Sequence, residues 1–146
     1  MVVHLRYLST NSVRIKKRVE QGDEPGCGIA CVAMVTGQTY KKTRIFFDEH
    51  VFLTTDKKPH TRHYQLRRAL EIFGVKTEKR PFHYWRSIET HAIVPINRQV
   101  DGGWHWVVFV RAGNRPYIMD PAPGKWRRRY DFRGIQSRGF YIAIQG

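Results

Sequence analysis

Gln21-Gly-Asp-Glu-Pro-Gly-Cys27-Gly-Ile-Ala-Cys-Val-Ala-Met-Val35-Thr-Gly37 holds two kinds of chain in succession. Gln21 to Gly28 has the composition of a turn, glycine and proline mixed with short polar residues. Ile29 to Val35 is apolar on every side, and Gly37 stops it. A helix without a polar face belongs in the centre of a domain, where all its sides meet other protein. The β-branched residues also permit a strand, but Ala30, Ala33 and Met34 favour the helix. Cys27 therefore stands where a glycine-flanked turn enters a buried helix.

Further along the chain, a second helix is expected over 39–50. A third, over 62–73, carries Leu66, Ala69, Leu70 and Phe73 on one stripe, with Gly74 at its C-terminal cap. A short helical turn is expected from Trp85 to Thr90. Residues 2–8 alternate as a short strand does and are broken by Ser9 to Asn11, while 13–19 are basic and ambiguous. After residue 90 the pattern changes to strands at 91–96, 104–110, 116–119 and 139–144. Gly102-Gly103 and Gly113-Asn114 are turn signals between them. Helices followed by an antiparallel sheet make an α+β domain. There is no repeat, low-complexity tract or long linker, so residues 1–146 read as one domain.

Composition narrows the class. The chain is 41% hydrophobic and 13% aromatic, which is globular rather than disordered. No run reaches the roughly 18 apolar residues of a membrane span, and Met1 to Arg6 is too short an apolar run for a secretory signal. The two cysteines, Cys27 and Cys31, do not form a disulfide scaffold, and their helical spacing suits a disulfide poorly. Free thiols fit a reducing compartment, so a cytoplasmic location is expected.

With 26 Lys and Arg against 12 Asp and Glu, the net charge is +14. The basic residues gather in Arg14–Arg18, Lys57–Arg68 and Lys125–Arg133. In the last run Lys125, Arg127, Arg128 and Arg129 are interleaved with Trp126 and Tyr130, a surface suited to a polyanion or an acidic protein partner. A plain solvated face is the alternative.

Four residues carry candidate chemistry. A thiol at the start of a helix feels the positive end of the helix dipole, which favours the reactive thiolate. Gly26 and Gly28 would leave room there for a substrate backbone. Cys31, one turn further in, reads as a packed core residue, and no further ligands stand at a metal-site spacing. His105 opens the apolar strand Trp104-His-Trp-Val-Val-Phe-Val110, sharing a face with Val107 and Phe109. Asp120 ends the next strand, and a turn at Gly113-Asn114 brings it near His105, where a carboxylate can orient an imidazole. Gln21 offers an amide that can donate to an oxyanion. Taken singly, each admits a plain structural reading: a small capping cysteine, a core histidine, an Asp-Pro turn.

Taken together, Gln21…Cys27-Gly-Ile-Ala-Cys-Val-Ala-Met-Val35, Gly103-Trp-His105-Trp-Val-Val108 and Tyr117-Ile-Met-Asp120-Pro121 resemble the C39 family of bacterial cysteine peptidases. Leu66…Leu70…Phe73-Gly-Val75 is similar to that family's second-helix pattern. The likeness spans about residues 20–122. It implies a papain-like fold in which a nucleophile helix packs on a C-terminal antiparallel sheet. It also implies a Cys–His–Asp triad, with Cys27 as nucleophile, His105 as base, Asp120 as its orienter and Gln21 as the oxyanion residue. The family cuts leader peptides after a double glycine.

Two features depart from the family pattern. Gly26 stands where an acidic or polar residue commonly precedes the nucleophile, and the membrane-spanning exporter of the familiar members has no counterpart here, so a stand-alone domain is expected. The function expected is a cysteine hydrolase of a peptide or isopeptide bond, acting on a peptide or protein and needing no cofactor or metal. Two alternatives remain open: a basic toxin or effector that acts on nucleic acid with the same scaffold, and a non-catalytic binding module.

Overall fold

The apolar run forms helix α1, Cys27–Thr36, in a computed structural model that describes residues 13–22, 25–52, 61–97 and 104–145. The strand expected at 2–8, the Gly102-Gly103 turn and Lys57–His60 of the second basic cluster lie outside these residues. Gly28 through Val35 are all buried, as a helix without a polar face requires. Gly37 ends it in the left-handed conformation, φ 73°, which costs glycine little.

Helix α2, Tyr40–His50, starts at Thr39, whose hydroxyl caps the Lys42 amide. Helix α3, His63–Ile72, buries Leu66, Ala69 and Leu70 and stops before Gly74, φ 87°. Each of these helices starts or stops within two residues of the position expected from the sequence.

The strands are β1 (Lys76–Pro81), β2 (Ala92–Asn97), β3 (Trp104–Val110), β4 (Tyr117–Met119) and β5 (Phe140–Gln145). Among the described residues they form one antiparallel sheet in the order β1-β5-β2-β3-β4. A single 3₁₀ turn at Trp85–Ser87 occupies the place of the expected helical turn.

Strand β1 has no counterpart in the sequence reading. Lys-Thr-Glu-Lys-Arg-Pro pairs only with β5 at the sheet edge, and most of it is exposed. Edge strands commonly carry charges that block further pairing, so such a strand lacks the apolar alternation that would reveal it.

The sheet has two covered faces. Trp106, Val108, Val110, Met119, Ile142 and Ile144 pack in one core cluster with α1 and α3 residues such as Ile29, Val32, Leu66 and Leu70. The alternate row, Val94, Val107, Phe109, Ile118 and Ala143, lies beneath Trp85, Trp126, Phe132 and Ile135. A buried side chain of this size contributes about 1.5–3 kcal/mol relative to leaving it exposed. The sheet thus holds α1 on one face while the segment after β4 closes the other.

Candidate active site

Cys27 is the first residue of α1 and is half-buried, with a free thiol. His105, near the start of β3, and Asp120, just past the end of β4, are both buried, at 7% and 4% exposure. The antiparallel register sets Val108 opposite Met119 and Phe109 opposite Ile118, so the ends carrying His105 and Asp120 lie together. His105 Nε2 lies 2.6 Å from Asp120 Oδ1. That oxygen also accepts the Ala122 amide at 2.9 Å. Cys27 lies near enough to the His105 ring to act on its protonation.

The electrostatics follow from these contacts. Burial pulls the His105 pKa down, but the hydrogen bonds and charges of Asp120 and Cys27 outweigh it and raise the value from 6.5 to about 9. The protonated ring is therefore favoured at neutral pH. Cys31 differs: complete burial first, then the nearby Cys27 and Asp120, push its thiol well above the ordinary value. It belongs to the core cluster under α1, as its place in the apolar run suggests.

Gln21 is buried at 8% exposure, and its backbone N–H donates to the carbonyl of Pro121 at 2.8 Å. The structure thus bonds His105 to Asp120 with Cys27 close to the same ring, and sets Gln21 beside the turn that carries Asp120. Arg18 was not legible as part of this group. Its Nε donates to the Asp120 carbonyl at 2.6 Å, and its Nη2 donates to the Ala122 carbonyl. In sequence it is one cation in the basic run 14–18, and no periodicity marks it.

Gly28 has a different job from the one its place suggested. A Cβ there would lie 1.9 Å from Thr61 Oγ1 and 3.0 Å from Leu66 Cδ2. Thr61 already fills the space expected for substrate, so Gly28 lets the chain before α3 approach the start of α1. The Thr61 carbonyl in turn accepts the Trp106 indole at 3.1 Å.

Trp104 and Trp106, which flank His105, line a cleft of about 290 Å³ with Tyr64 and Phe140, and Arg62 and Arg138 add charge to it. The other two tryptophans, Trp85 and Trp126, belong to the opposite face of the sheet.

The basic segment after β4 is more structural than a solvated run. Arg129 exchanges backbone bonds with Ile118, and its guanidinium donates to the carbonyls of Asp131 and Arg133 while lying 4.3 Å from the Trp126 ring. Lys125, Arg127 and Arg128 are exposed. Arg128 lies 4.9 Å over Tyr117, and Arg115 4.0 Å over Tyr130.

A helix opening on a thiol, packed on an antiparallel sheet that supplies a histidine, defines an α+β domain of the papain-like kind. Residues 15–133 match the peptidase C39 family, and the chain belongs to it. It is a cysteine peptidase-like enzyme. A solved structure of similar fold is a double glycine motif protease from an AMS/PCAT transporter in complex with the leader peptide. That match has a TM-score of 0.60 and 20% identity, and covers 93% of this chain and 95% of the other. No curated protein matches the chain. Among the described residues, no helix is long and apolar enough to cross a membrane.

Proposed function

We propose that this protein cleaves a peptide bond with Cys27 as nucleophile, His105 as acid and base, and Asp120 as the group that orients His105. The observation that supports this reading best is the buried 2.6 Å contact between His105 and Asp120, with Cys27 near enough to act on the protonation of the same ring. In this mechanism the sulfur of a thiolate–imidazolium pair attacks the carbonyl carbon. The tetrahedral oxyanion is held by the Cys27 amide and the Gln21 side chain. Collapse breaks the C–N bond as the Nδ1 proton of His105 passes to the leaving amine. Water then attacks the thioester, giving one proton to His105, and the carboxylic acid leaves as the sulfur is released. Asp120 stays ionised throughout and fixes the ring.

The substrate in this proposal is a peptide or protein. The neighbour of similar fold was solved with a leader peptide, which makes a double-glycine peptide the first substrate to try. A reducing, cytoplasmic setting belongs to the same proposal, which rests there on the free thiols. The test is the rate of iodoacetamide alkylation of Cys27 from pH 4 to 9, followed by mass spectrometry, beside cleavage of the peptide. The proposal expects a thiol that reacts below the ordinary cysteine range of roughly 8.5 and loses that reactivity in His105→Ala. A thiol that titrates ordinarily and is indifferent to His105 would sink it.

A second proposal concerns the surface. Arg128 over Tyr117 and Arg115 over Tyr130 hold cations against adjoining rings, whose centroids lie 5.5 Å apart, next to exposed Lys125 and Arg127. We propose that this face contacts a polyanion. Retention on heparin that is unchanged in a Lys125→Ser, Arg127→Ser, Arg128→Ser variant would refute it.

A further inference from the structure

Asp120 lies beyond the last paired residue of β4, so the sheet ladder does not hold it. A catalytic geometry needs its groups held to within about half an ångström. What holds the Asp120-Pro-Ala122 turn is a separate set of bonds. The Asp120 amide donates to the Trp126 carbonyl at 3.1 Å, and the Ala122 amide donates to the Asp120 carboxylate at 2.9 Å. On the other side, Arg18 reaches the two carbonyls that flank Pro121. Its side chain is only 12% exposed, and its third contact is Glu20 Oε2 at 3.2 Å, at the surface. Three residues after Arg18, the Gln21 backbone N–H donates to the Pro121 carbonyl. All three carbonyls of the turn that carries the acid are thus held by residues 18–21.

We infer that Arg18 is a positioning residue, whose guanidinium fork clamps the Asp120–Ala122 turn and sets Asp120 against His105 and beside Gln21. This rests on the functional reading above. Arginine suits the task because one planar group presents donors in fixed directions to two acceptors, whereas the ammonium of lysine is a compact point donor on a flexible stem. A purely structural clamp would stabilise the fold without changing how His105 titrates. A positioning clamp must change that titration.

The test compares Arg18→Lys and Arg18→Met with Glu20→Gln, which leaves both carbonyl bonds in place. The first readout is the His105 titration by imidazole NMR, and the second is the pH profile of Cys27 alkylation. The inference expects the His105 titration to move down toward 6.5 by about one pH unit in both Arg18 variants, a tenfold change in its proton affinity. Alkylation at pH 6 should fall several-fold in the same proteins, and Glu20→Gln should behave as the parent. Folded Arg18 variants with the parental His105 titration would overturn the inference, whatever their melting temperature. If neither variant folds, the unsubstituted protein decides: a slowly exchanging Arg18 Nε–H, detected by nitrogen-edited NMR, supports the clamp, and a rapidly exchanging one overturns it. The outcomes separate cleanly from failure of the functional reading. A Cys27 that is unreactive even in the parent defeats that reading, while the His105 titration still reports on Arg18.

Discussion

Where α1 meets β3, Ile29 and Val32 pack with Trp106 and Val108, and the contact is apolar and buried. Where residues 18–21 meet 120–122, three main-chain carbonyls are held by an arginine fork and a backbone amide. The first region delivers Cys27 and the second delivers Asp120, with His105 between them. Apolar packing tolerates relaxation, so damage there appears as lost stability. A hydrogen-bonded turn carries little buried apolar area, so damage there appears as misplaced chemistry. The two regions should therefore fail in different ways.

The sharpest break removes the delivered group itself. Cys27→Ala should abolish peptide cleavage, by about 10⁴-fold or more, while the melting temperature stays near the parent's. Cleavage that survives would show that the α1 region delivers no nucleophile. Asp120→Asn keeps the size of the side chain but not its charge, and an orienting acid lost in this way costs about 10⁴ in turnover in the best-studied triad. The expected result here is a loss of 10²-fold or more, with the His105 titration falling from about 9.

Leu66→Ala tests the apolar region in the opposite sense. Leu66 is fully buried, and its truncation should cost about 2–5 kcal/mol in denaturant unfolding. The His105 titration in the folded fraction should remain parental, and a large shift would mean that the two regions are coupled. The pH dependence of stability sharpens the comparison further. The His105 pKa is raised in the folded state, so its contribution is complete below 6.5 and is lost as pH rises toward about 9. The loss is at most about 3 kcal/mol by linkage. Unfolding measured at pH 6 and pH 9 should show it, and Asp120→Asn should flatten it. The smallest effect is expected at Arg128→Ser on the exposed basic face: unchanged peptide cleavage, with the salt slope of heparin binding reduced by about one.

Much of this architecture was legible before any coordinates. The run Ile29–Val35 has only one comfortable place, a buried helix, because nothing in it can face water. Its neighbours Leu66, Ala69 and Leu70 declare a face by their spacing. Strand β3 follows from its run of β-branched and aromatic residues. Strand β1 was hidden because an exposed edge strand is selected for charge rather than pattern. Gly28 was misread because its neighbour Thr61 is distant in sequence, and only the fold shows that the space over the glycine is already filled.

The residues thus determined by themselves the three helices and four of the five described strands, which cysteine is buried, and which groups have chemistry to offer. These are local matters of periodicity, propensity and functional group. Only the tertiary structure decided that His105 and Asp120 meet at 2.6 Å and that Cys27 comes near the same ring. It alone made Arg18 the holder of the turn. Those facts depend on sheet register and on a contact between residues 102 apart in sequence. An arginine that binds backbone carbonyls leaves no trace in the identity of its partners, because every residue has a carbonyl.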